Sequence, residues 1–450
     1  MKIISGGNLI KSSCLGLVLP FLLLIGSING QNIQKYDLEK CISTALENNH
    51  SLKQVRIDKA IAEEQVSEAY GTSLYPKIDG FSNYNRAIKR GEITIETPFF
   101  SGSFPSGTKN TLTAGVNLEQ PLFTGAMFLA VKIAKTFAEI SNQRVQYSEH
   151  ELVAKVKEAY YVYLLSKEFL GFSKLQLKRA EENYRNTSSR YEAGLVSEYD
   201  KIKANVQKQN LIPALTEAEN QLLLAGNNLK LILGIEIDDN IVIEDSLEYH
   251  DIELPGFNDG LDYIFKKNSL IKQSELNREL NDLSASYEFT QLFPKLNAFG
   301  NWQVQAQEND DRSFAEWRYK NSVSVGLSLS IPIFSGFANY SRIDQAELEV
   351  KKSDEMLKEA KKQIRNQYES VYTEINKLKE QIEAYDVAVK QSELGYEIAS
   401  KRYNTGLGTQ IEVTNSLVDL SNSKIQYMRA VSDYFVKHAE LEKLLGKSAN

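Results

Sequence analysis

Cysteine is nearly absent from the sequence, and this limits how the fold can be stabilised. Cys14 and Cys41 are the only two cysteines among 450 residues. Cys14 lies in the leader segment described below, and it precedes the main apolar run, which argues against a lipoprotein cysteine. Cys41 is then alone in the exported chain, so no intramolecular disulfide can form. The fold must therefore be held together by burial of apolar surface.

Long apolar runs are also scarce. The clearest one, Leu15 to Ile25, follows Lys2 and Lys11 and precedes small and polar residues, which is the layout of a secretory signal peptide. Beyond it, no apolar stretch approaches the roughly 20 residues that a membrane helix needs. If the mature chain crosses a bilayer, it must do so with β-strands.

A basic surface and catalytic motifs are missing too. The formal net charge of −7 argues against a nucleic-acid partner, because phosphate binding needs a concentrated basic face. The histidines are widely spaced and form no metal-ligand pattern, and there is no Gly-x-Ser-x-Gly elbow or glycine-rich phosphate loop. The four histidines are His50, His150, His250 and His438. The sequence therefore predicts no catalytic residue, no metal ligand and no cofactor.

The most informative feature present is an internal duplication. Pro76 and Pro294, 218 residues apart, stand in matching segments of the form Leu-Tyr/Phe-Pro-Lys. Three further pairs recur in the same order at spacings of 211 or 212: Pro-x-Phe-x-Gly at 121–125 and 332–336, Arg-Tyr-x-x-Gly-Leu at 190–195 and 402–407, and Leu-Gly at 233–234 and 445–446. Such ordered matches predict two structural repeats.

Each repeat is predicted to run helix, strand, loop, strand, very long helix, turn and long helix. The loops, at 87–110 and 306–320, are rich in glycine, serine, asparagine and charge. We divide the chain into a signal peptide (1–30), a first repeat (31–235), a connector (236–260), a second repeat (261–446) and a tail (447–450).

The predicted strands alternate between apolar and polar residues. Residues 111–119 and 322–330 do so strictly, residues 296–304 do so apart from Phe299 in the polar row, and the strand from Ile78 to Arg86 is the least regular. A period of two suits a soluble sheet and a membrane barrel equally. Strand lengths near the 9–11 residues needed to cross a bilayer, and the small polar side chains, favour a barrel.

Four strands are too few to close a barrel. The smallest barrels have about eight strands, and open sheet edges are not tolerated in lipid. Several copies of the chain must therefore share one barrel. Two copies would give eight strands and a filled interior, and three would give twelve strands and room for a passage. The strand pattern favours neither number.

The helices are unusually long. No proline interrupts the chain from Ala126 to Thr187, which allows a helix on the order of 90 Å. The matching helix of the second half carries a heptad-spaced apolar seam from Ile364 to Val389. An exported coiled-coil scaffold or tether without transport activity is the alternative interpretation. It leaves the alternating strands unexplained, and the second long helix starts where a strand ends, at Pro332 to Gly336.

With these doubled motifs in order, the mature chain resembles the TolC-type outer-membrane efflux protein family over nearly its whole length. The resemblance implies a mainly α fold with a membrane β-barrel. Three copies would share one twelve-stranded barrel and a periplasmic α-helical tunnel, and each repeat would contribute two strands. It also implies a role as the exit duct of a tripartite efflux or secretion system in the outer membrane. The implied partners are two further copies, a periplasmic adaptor protein, an inner-membrane transporter and outer-membrane lipid.

The resemblance also implies roles for particular residues. The tip turns that would meet the adaptor hold Gly194, Leu195, Gly406 and Leu407. The pore constriction would hold Asp200, Glu412 and Asn415, the last replacing an acid found in some relatives. A helix C-cap explains the two glycines equally well, and the helix dipole explains the two carboxylates. The predicted lipid-facing strand positions are Leu112, Val116, Leu118, Val323, Val325, Leu327 and Leu329.

Overall fold

The computed structural model describes residues 34–447, so the predicted signal peptide and the last three residues of the predicted tail lie outside it. The first half comprises β1 (Gln34–Lys35), α1 (Leu38–Asn48), α2 (His50–Leu74), β2 (Lys77–Arg86), β3 (Gly91–Thr97), β4 (Phe100–Ser106), β5 (Asn110–Phe123), α3 (Met127–Glu192) and α4 (Glu198–Leu233). The second half comprises β6 (Ile241–Val242), α5 (Phe257–Lys267), α6 (Ser269–Thr290), β7 (Lys295–Glu308), β8 (Tyr319–Ser330), α7 (Ala338–Asn404) and α8 (Gln410–Leu445), with a short 3-10 turn, Phe314–Glu316, before β8.

Four long strands form one antiparallel sheet in the order β2-β5-β7-β8. All four strands that the sequence predicts are confirmed, each with ends within a few residues of those expected. β2 and β8 are the edges of this sheet, and neither has a second neighbour within residues 34–447. The sheet of one chain is therefore open on both sides.

The predicted loop at 87–110 does connect two strands of the sheet, but it contains a hairpin of its own, formed by β3 and β4. Ile93 and Ile95 alternate with Glu92, Thr94 and Glu96, which is a strand pattern too short to stand out among glycine, serine and lysine. The hairpin has no counterpart in the second repeat, where only a short turn separates β7 from β8.

Two helices far exceed the length of an ordinary globular helix. α3 has 66 residues and α7 has 67, which corresponds to about 100 Å each at about 1.5 Å per residue. The predicted seam of α7 is buried from Ile364 to Ile382, where it packs on α8 and on the short helices α5 and α6 of the same chain. Tyr385 is half-buried, and Val389 is buried again. The heptad pattern therefore serves contacts within one chain. Within residues 34–447, no helix combines the length and the apolar character needed to cross a membrane.

The short helices complete two apolar clusters around the long ones. One cluster joins α1 to α3 and α4 and contains the buried free thiol of Cys41. The other joins α5 and α6 to α7 and α8. Tyr161 and Leu247 contact both clusters, so the two repeats share one continuous apolar region.

A single asparagine in each repeat divides the leading helix into two. Asn49 separates α1 from α2 and caps α2 by accepting from the Leu52 amide at 3.0 Å, while its Nδ2 donates to the Ile232 carbonyl at 2.9 Å. Asn268 caps α6 in the same way and donates to the Leu444 carbonyl at 2.9 Å. Each side chain therefore ties the start of one helix to the end of the return helix and satisfies one of the last carbonyls of that return helix.

We expect Asn268→Ala to lower the free energy of unfolding by about 2 kcal/mol, because it removes the cap of α6 and leaves the Leu444 carbonyl without its buried partner. Asn376→Ala is the matched control, since Asn376 is an exposed asparagine inside α7. Urea unfolding followed by circular dichroism measures both variants, and equal midpoints would contradict the role assigned to Asn268.

Candidate pore and its tip turns

The register of the sheet places the seven predicted lipid-facing residues on one face. Val116 stands opposite Trp302, which stands opposite Val323, and Leu118, Gly300 and Val325 form the next such row. In the isolated chain the apolar residues of β8 are largely uncovered, with Val325 82% exposed. These exposed side chains form a continuous apolar surface on one side of the sheet.

The opposite face is polar. Every strand carries serine, threonine, asparagine, glutamine or charged side chains on this face, and Asn301 donates a side-chain hydrogen bond to Asn117 across β5 and β7. Gly115 lies on this face, and a Cβ there would lie 2.4 Å from the Trp302 carbonyl oxygen. Only glycine fits at this position of β5. One face is therefore suited to hydrocarbon and the other to water.

A polar network closes the loop end of the sheet and joins the two repeats. Arg86, at the end of β2, contacts both carboxylate oxygens of Asp310 at 3.0 and 3.1 Å, and Lys109 contacts the same carboxylate at 3.3 Å. The side chain of Asn110 is buried against Asp310 and Tyr84. Sequence analysis missed this network, because its members lie about two hundred residues apart in the chain.

At the other end of the molecule, both turns between long helices have the same geometry. Gly194 and Gly406 have φ of +73° and +79°, which L side chains rarely adopt. In each turn the glycine amide and the following leucine amide donate to carbonyls near the helix end, with Leu195 bonded to Arg190 at 2.8 Å and Leu407 to Arg402 at 2.9 Å. This is the Schellman arrangement, so the glycines act as helix C-caps.

Each return helix begins with a capping hydroxyl residue, and the two predicted constriction carboxylates differ in how they bond to it. Ser197 and Asp200 form a reciprocal capping box at the start of α4, in which the Asp200 carboxylate accepts from the Ser197 amide and hydroxyl. At the start of α8, the Thr409 hydroxyl accepts from the Glu412 amide at 3.3 Å, but the Glu412 carboxylate accepts no hydrogen bond from Thr409 in return. Asn415, six residues after the Thr409 cap, is exposed. Asp200 thus has a capping task that Glu412 lacks.

Two contacts near the turns hold the first helical hairpin to the second. The Arg190 guanidinium donates to the Tyr403 carbonyl at 2.6 Å and lies over the Tyr403 ring at 4.8 Å. Thr187 and Tyr403 share a buried hydroxyl contact at 3.2 Å. Arg190 belongs to the first copy of the repeated Arg-Tyr motif and Tyr403 to the second. The motif locates the two turns in the sequence, but its spacing alone does not show that the two copies are in contact.

The most perturbed ionisable groups outside the sheet lie in the middle of the molecule. Burial lowers the pKa of His438 to about 4, and its Nε2 has no hydrogen-bond partner within the described residues. Nearby, the hydrogen bond from Lys379 at 2.7 Å lowers the pKa of Asp251, which also accepts from Tyr434 at 3.1 Å. These bonds fasten the connector to α7 and α8. Residues 34–447 hold no group of three or more side chains arranged to bind a metal ion.

Residues 41–235 and 263–447 match the family model described as outer membrane efflux protein. The chain belongs to this family. The outer membrane protein TolC of Vibrio cholerae is 21% identical over 411 residues, which cover 91% of this chain and 90% of TolC. The alkaline protease secretion protein AprF of Pseudomonas aeruginosa is 22% identical over 404 residues, which cover 88% and 82%.

Solved structures share the fold at low sequence identity. The CmeC outer membrane channel of Campylobacter jejuni has a TM-score of 0.73 at 19% identity and covers 91% of this chain and 85% of its own. The open MtrE outer membrane channel of Neisseria gonorrhoeae has a TM-score of 0.74 at 16% identity, with coverages of 91% and 89%. The predicted barrel-and-tunnel fold is therefore confirmed.

As an outer membrane efflux protein, the chain provides an exit duct with its barrel in the outer membrane and its helical tunnel in the periplasm. The predicted family, function and location are confirmed, and the scaffold alternative is set aside. The family is a transport family and not an enzyme family. The pore, tip and lipid-facing roles of individual residues stay predictions.

Gly406→Ala is expected to destabilise its turn by about 1–2 kcal/mol, because alanine is strained at positive φ. The measurement is hydrogen exchange at the Leu407 amide, which should become several times faster. Gly395→Ala is the control, since Gly395 lies inside α7 with open space around it and alanine favours a helix. Equal exchange in the two variants would contradict the capping role of Gly406.

Proposed function

We propose that three copies of this chain close one twelve-stranded barrel and continue it as a twelve-helix tunnel. The observation that carries the proposal is the four-stranded sheet with one apolar face, one polar face and two open edges. Open edges are not stable in hydrocarbon, so β8 of one copy must pair with β2 of the next. Three copies leave a hydrated passage, whereas two would leave an interior filled by side chains.

In this assembly the apolar face meets the lipid and the polar face lines the passage. The seven lipid-facing residues, Leu112, Val116, Leu118, Val323, Val325, Leu327 and Leu329, are supported by their common face and by the exposure of the four in β8. Outer-membrane lipid then contacts the apolar face. A polar lumen accommodates water and dissolved solutes.

We further propose that the tip turns bind a periplasmic adaptor that couples the duct to an inner-membrane transporter. Leu195 and Leu407 follow the capping residues Gly194 and Gly406, and their side chains are 69% and 75% exposed. Exposed apolar side chains at these turns are suited to a protein contact. The transporter, not the duct, would then select the cargo for efflux or secretion.

The constriction of the pore is proposed to lie just above these turns. Threefold symmetry would make rings of Asp200, Glu412 and Asn415, and a ring of carboxylates attracts cations. Because the Asp200 carboxylate is engaged in its capping box, Glu412 is the stronger candidate for the charge of the ring. Asn415 adds polarity without charge.

A cysteine cross-link tests the shared barrel. Asn117 and Asn301 stand opposite each other within the chain, and their repeat counterparts are Ser328 at one edge and Asn83 at the other. In a Cys41→Ala background, Ser328→Cys with Asn83→Cys should therefore form disulfides between neighbouring copies. We expect bands up to the trimer on a non-reducing gel of native membranes.

The matched control is Ser324→Cys with Asn83→Cys, because Ser324 lies four residues away, or about 13 Å along β8. That pair should remain monomeric. Cross-linking that stops at a dimer would instead support an eight-stranded barrel from two copies, and no cross-linking at all would refute the shared sheet.

Conductance measurements test the constriction. We expect Glu412→Gln to weaken block of the reconstituted channel by a multivalent cation added from the tunnel side, because the charge of the ring is lost. Asp200→Asn is expected to affect the block less and to fray the start of α4. Unchanged block in Glu412→Gln would remove Glu412 from the constriction.

A further inference from the structure

The polar face of the sheet carries two phenylalanines at matching places in the repeats. Phe81 in β2 and Phe299 in β7 are separated by the same 218 residues as Pro76 and Pro294. From Lys77 to Arg86 and from Lys295 to Glu308, every other residue on this face is polar or charged. The two rings therefore interrupt an otherwise hydrophilic surface.

Each ring lies over a glycine of the next strand. A Cβ on Gly115 would lie 3.0 Å from Cε1 of Phe81, and a Cβ on Gly326 would lie 2.6 Å from Cζ of Phe299. An aromatic side chain that covers a cross-strand glycine stabilises a sheet, which explains why the rings lie against the wall. The glycine covers the ring only in part, since Phe299 is still 42% exposed.

The duplication places these rings at one level of the pore. If the two repeats of each copy alternate around the barrel, equivalent positions share the same height along its axis. Three copies then contribute six phenylalanine rings to a single band of the lumen wall. A phenylalanine in only one repeat would contribute three widely spaced rings instead of six.

A carboxylate accompanies half of these rings. Glu119 stands directly opposite Phe299 on the same face, and its side chain is exposed. Lys77 stands directly opposite Glu119 in β2, but its ammonium group pairs with Asp79 at 3.1 Å, so within the described residues the Glu119 carboxylate has no hydrogen bond or ion pair. In the other repeat the counterpart of Glu119 is Ser330, which is uncharged. Each copy thus offers one aromatic face beside one unpaired negative charge.

We propose that Phe299 and Glu119 form a lumenal binding site for organic cations that have an apolar body. The ring attracts the cation through its π face and packs against its apolar groups, and the carboxylate supplies the opposite charge. Weak binding suits a passage, because a solute must be able both to enter and to leave. The site rests on the proposed function, in which the polar face lines the pore.

The test is single-channel recording of the full mature protein in planar bilayers, with benzyltriethylammonium as the probe. The unmodified channel should show concentration-dependent block. Phe299→Leu keeps an apolar side chain over Gly326 but lacks the π face, and we expect it to weaken the block by about two- to fivefold. Glu119→Gln should weaken it by a similar factor, and Phe299→Tyr should retain it.

Two controls separate this site from other parts of the channel. Phe99→Ser replaces a phenylalanine that is 98% exposed at the tip of the β3–β4 hairpin and should leave the block unchanged. Glu412→Gln removes the charge proposed at the constriction and should preserve the part of the block that depends on Phe299. Benzenesulfonate, an anion with a similar ring, should not show a block that depends on Phe299.

Normal conductance with equal block in unmodified, Phe299→Leu and Glu119→Gln channels would overturn the site and leave the duct intact. Block that Glu412→Gln abolishes completely would also overturn it, because all binding would then lie at the tip. An unmodified protein that forms no channel would overturn the proposed function and this site with it.

Discussion

The unpaired edges of β2 and β8 constrain everything else in the molecule. In hydrocarbon, each backbone amide or carbonyl without a partner costs several kcal/mol, and an edge strand presents a row of them. The sheet of one chain is therefore a segment of a larger sheet. α3 begins at Met127, soon after β5 ends at Phe123, and α7 begins at Ala338, after β8 ends at Ser330. Because these connections are short, the strands determine where the helices lie around the axis.

Apolar packing is unevenly distributed along the long helices. In the middle, the short helices and the connector build large clusters around the α7 seam, including Tyr368 and Ile375. Near the turns the buried cluster consists of only Ala399, Tyr403 and Val413, and Arg190 supplies a polar contact beside it. Regions with few buried contacts open most easily, so the architecture concentrates rigidity in the middle and leaves the turn end adaptable.

Much of the fold could be predicted from the sequence, because local patterns report it directly. Strict alternation located β5 and β8, the lack of proline indicated α3, and heptad spacing identified the side of α7 that is buried. The features that were missed depend on residues distant in the chain. Helix propensity cannot show that Asn268 meets the Leu444 carbonyl, nor can a repeated motif show that Arg190 meets Tyr403.

Duplication within one chain has a consequence for how such a duct diversifies. In the trimer the backbone is nearly sixfold symmetric, because each copy contains two similar repeats, yet the two repeats differ in sequence. Glu119, beside Phe299, has the uncharged Ser330 as its counterpart in the other repeat. A single codon change therefore alters alternate positions around the ring, three at a time. The side chains that line the passage can therefore change at three of six equivalent positions while the backbone of the barrel stays the same.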